Sequence, residues 1–145
     1  SDIEQHPSKI TLEIINSLLA GMTTNVFRVG DALLAEDPGE AISQLDLLLN
    51  TGEPALRIIA TLSSQIRGWL WVSMLEKQGE KDVSVIAQAA GIANPKRIYI
   101  LRKQINGKQP KVFLKMLSQV LEIEADLKDG KQPNEAFRDG LIKTS

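Results

Sequence analysis

One stretch limits what this chain can fold into more than any other: Glu53 to Gln78, EPALRIIATLSSQIRGWLWVSMLEKQ. Pro54 has a fixed φ and no N–H, so it suits the first turn of a helix and little else in one. No further proline occurs until Pro95, and Gly79 closes the run. A helix over these residues would be about 39 Å long. Ile59, Leu62, Ile66, Leu70 and Met74 follow the three-and-four spacing of one helical face. Ile58, Trp71 and Val72 widen the apolar surface beyond a single stripe, and a helix apolar on most sides is packed by neighbours on several. Arg57, Thr61, Ser64 and Arg67 leave a narrow polar strip, expected to face water or another protein. Trp69 and Trp71 point in different directions on a helix, so one can fill the core while the other is exposed or covered by a partner. Gly68 costs about 1 kcal/mol against alanine in mid-helix, and close approach of a neighbouring helix would be one reason to keep it.

Helices are expected on both sides. Upstream, Thr11 can cap Leu12 to Ala20, and Thr24 or Asn25 can cap a helix through Leu34. Asp37-Pro38-Gly39 breaks that helix, and a third runs from Gly39 to Asn50. Downstream, Asp82 or Ser84 starts a short helix holding Val85, Ile86 and Ala89, closed by Gly91. Asn94-Pro95 opens another, carrying Ile98, Tyr99, Leu101 and Ile105. Gln109-Pro110 opens a second long helix, 110–128, and Pro133 or Asn134 a last one with Ala136 and Phe137. Residues 82–85 and 121–124 alternate in the β manner but lack turn signals on both sides. The fold class expected is all-α, a helical bundle of about eight helices with the long central helix 53–78.

Function classes are narrowed by what is scarce. The 145 residues include one histidine, His6, and no cysteine, which removes most metal and nucleophile arrangements. No Walker-type glycine loop is present. Glu122, Glu124 and Asp126 share a helix with Lys128, a pattern that reads as a charge cluster on a solvated or interface surface rather than as an acid/base pair. No cofactor site is expected, nor a membrane partner, since no apolar run reaches the length of a span. A net charge of −1 gives no global basic field. Even so, residues 82–105 look like two helices around a Gly91 turn, and the second carries Lys96, Arg97, Arg102 and Lys103. A helix-turn-helix could set these against DNA phosphates; the alternative is a packed hairpin with a basic outer side.

Three strings then resemble a known family, the C-terminal part of the delta subunit of bacterial DNA polymerase III, which belongs to the clamp loader. The first is Asp31-Ala32-Leu33-Leu34, then Gly52-Glu53-Pro54, then Leu62, Gln65 and Arg67. The second is Ile86, Ala87, Gly91, Ile92, Pro95, Leu101 and Gln104. The third is Leu121, Glu124, Asp126, Leu127, Lys128, Gly130, Pro133, Ala136 and Leu141. The resemblance implies a collar-like helical oligomerisation domain over 23–145, with 1–22 the end of an AAA+ lid domain. It implies a non-catalytic, cytoplasmic role in DNA replication, holding delta against the gamma/tau and delta-prime subunits. Contact with the sliding clamp would pass through an N-terminal domain missing from this sequence, and contact with primed DNA would be indirect. The start without methionine suggests a piece of a longer protein. Gly68, Trp69 and Trp71 stand where the family pattern has aliphatics, which leaves room for a delta-like paralogue. The expected faces toward other subunits are the strip with Arg57, Ser64, Arg67 and Trp71, and the Glu124, Asp126 and Lys128 end of the second long helix.

Overall fold

A computed structural model describes residues 25–142, and the helix expected over Leu12–Ala20 lies outside them. The described residues form seven helices and no strand: α1 over 25–34, α2 Pro38–Asn50, α3 Ala55–Lys77, α4 Val83–Ala90, α5 Arg97–Ile105, α6 Pro110–Lys128 and α7 Pro133–Ile142. Residues 82–85 and 121–124, the two stretches with β-like alternation, belong to helices or their caps. The reason is length: each sits within a longer 3.6-residue period that buries more.

The helix ends follow from local chemistry. Asp37 caps α2 by accepting the Glu40 N–H at 3.0 Å, with Pro38 in the first turn. Asp82 caps α4 by accepting the Ser84 N–H at 2.9 Å. Two starts differ from expectation by a few residues. Pro54 stands before α3 as its cap, extended at ψ 128°, and its carbonyl accepts from Arg57 and Ile58. Asn94 does cap, accepting the Lys96 N–H at 3.1 Å, but α5 begins at Arg97 after a tight turn through Pro95.

Helix α3 is the centre. It packs against α4, α5 and α6, while α7 joins α6 to α2. Its buried positions include Ile58, Ile59, Leu62, Ile66, Trp69 and Val72. Burying one large aliphatic side chain contributes about 1.5–3 kcal/mol. Mid-helix glycine and β-branched residues each cost at most about 1 kcal/mol in propensity, so packing holds α3 in place. Trp69 has no exposed surface, and its Nε1–H donates to Gln104 Oε1 of α5 at 3.0 Å. Its ring lies 5.9 Å from that of Phe113 on α6, tilted 46°, a spacing favourable for aromatic pairs. Phe113 and Phe137 are core. Several large apolar residues are exposed, among them Val85, Leu56, Tyr99, Leu114 and Leu121, and in α4 Ile86 and Ala87 make the buried contact. A helix with neighbours on only part of its circumference buries only a stripe.

Close helix approach occurs away from Gly68. A Cβ added at Gly68 would sit 3.7 Å from Leu101 Cδ1, an ordinary contact. At Gly30 it would meet the Gln65 side chain with Cδ at 2.7 Å, and at Gly140 it would collide with Ile123, whose Cδ1 lies 2.6 Å away. Those two glycines let α1 approach α3 and α7 approach α6.

Candidate functional site

The polar strip of α3 is where the sequence puts it. Arg57, Ser64, Arg67 and Trp71 are all exposed, although the helix that carries them packs against three others. Positions 57, 61, 64 and 68 share one face at helical spacing, and 60, 64, 67 and 71 the adjoining one. Trp71 is 40% exposed while Trp69 is enclosed, which resolves the two tryptophans into a packed one and a surface one. Neither arginine of the strip forms an ion pair among the described residues.

Beside the strip lies a groove of about 650 Å³ between α3, the α4–α5 turn and the start of α1. Its floor is Gly68, Ile92, Leu101 and Phe27, and Ala60, Ser64 and Arg97 stand among its walls. The turn is shaped by Gly91, whose φ of 72° is the left-handed region that glycine tolerates. The Ile92 N–H returns to the Ala87 carbonyl at 2.8 Å, closing α4. Gln65 lines the groove, and its Oε1 is buried with no hydrogen-bond partner. A buried acceptor left unpaired costs about 1–3 kcal/mol. Sequence reasoning missed this groove; the small residues Ala60, Gly68, Ala90, Gly91 and Ala93 are the signal that could have found it.

The second expected face is more internally satisfied. Lys128 Nζ pairs with Glu124 at 3.0 Å, one turn back on α6. Asp126 faces Lys131 at 3.7 Å, and Lys131 bonds Asp139 of α7 at 2.5 Å. The Asp139 hydrogen bond raises the Lys131 pKa above its ordinary value, with Asp126 adding to it and desolvation opposing. These charges join α6 to α7.

The basic side of α5 is divided. Lys96, Arg97 and Lys103 are exposed. Arg102 turns inward: its Nε lies 2.5 Å from Glu76 of α3, Nη2 donates to the Lys81 carbonyl, and its guanidinium stands 5.9 Å from the Tyr99 ring. Three of the four cations are thus available to an outside group, and the fourth ties α5 to α3.

No three histidine, cysteine or carboxylate groups converge as a metal site among the described residues, and no described helix is long and apolar enough to cross a membrane. The described surface presents an arginine-bearing strip, a groove and an exposed tryptophan. No curated protein matches the sequence. A solved structure, the Bacillus subtilis DNA clamp loader delta protein (YqeN), matches the fold with a TM-score of 0.67 at 20% identity, over 84% of this chain. The match spans 36% of that protein's length. Residues 23–143 match the family model of the DNA polymerase III delta subunit, C-terminal domain. An all-α bundle built around one enclosed helix, and a family match over most of its length, lead to one conclusion: the chain belongs to the family formed by the C-terminal domain of the DNA polymerase III delta subunit.

Proposed function

We propose that this domain acts in DNA replication by holding a delta subunit within the clamp loader that places the sliding clamp on primed DNA. It does so through contacts with the gamma/tau and delta-prime subunits and without catalysis. Residues 1–22 would be the end of the AAA+ lid domain preceding the collar. The observation that carries this reading is the exposed strip Arg57, Ser64, Arg67 and Trp71 on the central helix of a delta-family bundle. A helix enclosed on its other sides is a rigid mount for an interface, and aromatics and arginine are enriched in interfaces. A subunit placed side by side in a ring needs two different faces, and the Glu124, Asp126 and Lys128 end of α6 is the second. The test is capture of gamma/tau and delta-prime by this chain and by its Arg57→Glu/Arg67→Glu variant. Stable capture that the variant weakens supports the reading; no capture at micromolar concentration sinks it.

A second reading, DNA binding by residues 82–105, draws on the exposed Lys96, Arg97 and Lys103. It requires affinity that falls steeply with salt. Arg102 argues against a full basic face, being engaged with Glu76.

A further inference from the structure

We propose that the groove between α3 and the α4–α5 turn is a seat for an acidic amphipathic helix from a neighbouring loader subunit. This rests on the assembly reading above and names the face and the chemistry of its partner. Two observations carry it. The first is charge. Arg97 lines the groove, Arg57 lies one turn before Thr61 on the same face of α3, and Arg67 adjoins Gly68. None of the three is in an ion pair among the described residues, and no carboxylate among those residues lines the groove. Elsewhere in the bundle the arginines facing carboxylates are paired with them, as Arg102 is with Glu76 and Arg138 with Asp46. Guanidinium groups left over at a rim suit carboxylates, which they can bind through two parallel hydrogen bonds.

The second is shape. Small residues line the walls at Ala60, Ala90 and Ala93, and the floor is apolar at Ile92 and Leu101. Amphipathic helices enter such grooves with their apolar side chains down and their polar ones at the rim. The partner helix would therefore carry a large aliphatic residue on one face, with aspartate or glutamate on either side. Trp71 extends the same strip one turn beyond Arg67 and would cover the helix end.

The test uses a complete delta subunit with this domain and its purified gamma/tau and delta-prime partners. Ala60→Phe fills the groove from an exposed position, so the core is untouched. Arg57→Glu/Arg97→Glu reverses the rim. Leu47→Ser changes an exposed residue of α2, in neither proposed face, as a control, and circular dichroism verifies that each variant is folded. The expected result is a loss of affinity of ten-fold or more for both groove variants, with the α2 variant unchanged. A partner variant with an interface carboxylate changed to arginine should recover binding to the Arg57→Glu/Arg97→Glu protein. Weakening by the α2 variant alone would overturn the inference while leaving the assembly reading intact. Absence of capture by the unmodified protein would overturn both. Salt-sensitive DNA binding that the Arg57→Glu/Arg97→Glu variant abolishes, with capture of gamma/tau and delta-prime unchanged, would overturn the inference and assign the groove to nucleic acid.

Discussion

The same substitution made at two glycines should move stability in opposite directions. Gly68 and Gly140 both lie inside helices and are both buried. Replacing either with alanine brings the same intrinsic gain, about 1 kcal/mol from helix propensity and reduced freedom in the unfolded chain. What differs is the space. At Gly68 the new methyl would meet Leu101 at 3.7 Å and Ile92 at 4.0 Å, ordinary van der Waals distances. The gain is kept, and Gly68→Ala should stabilise by about 0.5–1 kcal/mol. At Gly140 the methyl would sit 2.6 Å from Ile123 Cδ1 and closer still to Cγ1. Ile123 is itself completely buried, so α7 or the isoleucine must move by more than an ångström. Overpacking of this kind costs about 1–3 kcal/mol, and a clash against a branched atom near the backbone belongs at the upper end. Subtracting the intrinsic gain leaves a net loss of about 2 kcal/mol for Gly140→Ala. Urea unfolding followed by circular dichroism at the helix band reads both, with a shared slope as the check that each variant unfolds in the same way. In an Ile123→Ala background the collision is gone, and Gly140→Ala should become neutral or stabilising. A Gly140→Ala protein as stable as the parent, or a Gly68→Ala protein destabilised by more than about 1 kcal/mol, would refute the steric reasoning.

Three further outcomes are expected. Glu36 closes α1 at φ 58°, a left-handed conformation costly for a residue with a Cβ, so Glu36→Gly should raise the urea midpoint by the equivalent of about 1 kcal/mol; an unchanged midpoint refutes it. Gln104→Leu leaves the Trp69 indole N–H buried without its acceptor and should cost about 1–3 kcal/mol, whereas Gln104→Glu, which keeps an acceptor, should cost less. The Asp139 hydrogen bond holds the Lys131 pKa above its ordinary 10.5. The stability it adds is present in full below pH 10.5 and lost as pH rises through the raised value. The urea-midpoint gap between the parent and Lys131→Met should therefore close as pH rises above about 10.5, and a gap constant with pH would contradict it.

Much of this was legible because helices announce themselves twice, in apolar spacing and in their ends. Asp82, Gly91, Pro110 and Pro133 each mark a boundary by a local rule that tertiary packing did not override. The interior of α3 was legible for the same reason. Two kinds of feature were not. Depth of burial on short helices depends on how many neighbours arrive, so Val85 and Tyr99 look inward by residue type and are exposed in fact. Long-range pairing is the other. Arg102 reads as one of four equivalent cations on α5, and only folding brings Glu76, on a different helix, to within a salt bridge of it. The groove belongs to the same class: Gly68 and Gly91 are ordinary singly and become a cleft when α4 folds back on α3.

The placement of Trp69 and Trp71 equips the domain with two optical probes of different character. Trp69, sealed in the core and hydrogen-bonded to Gln104, should emit at short wavelength and report only on unfolding. Trp71, part-exposed on the α3 strip, should emit at longer wavelength and be open to collisional quenchers. Iodide or acrylamide titration would separate the two in the native protein. Any partner that settles on the strip would then shield Trp71 while leaving Trp69 as an internal standard, so occupancy of that face can be followed without a label.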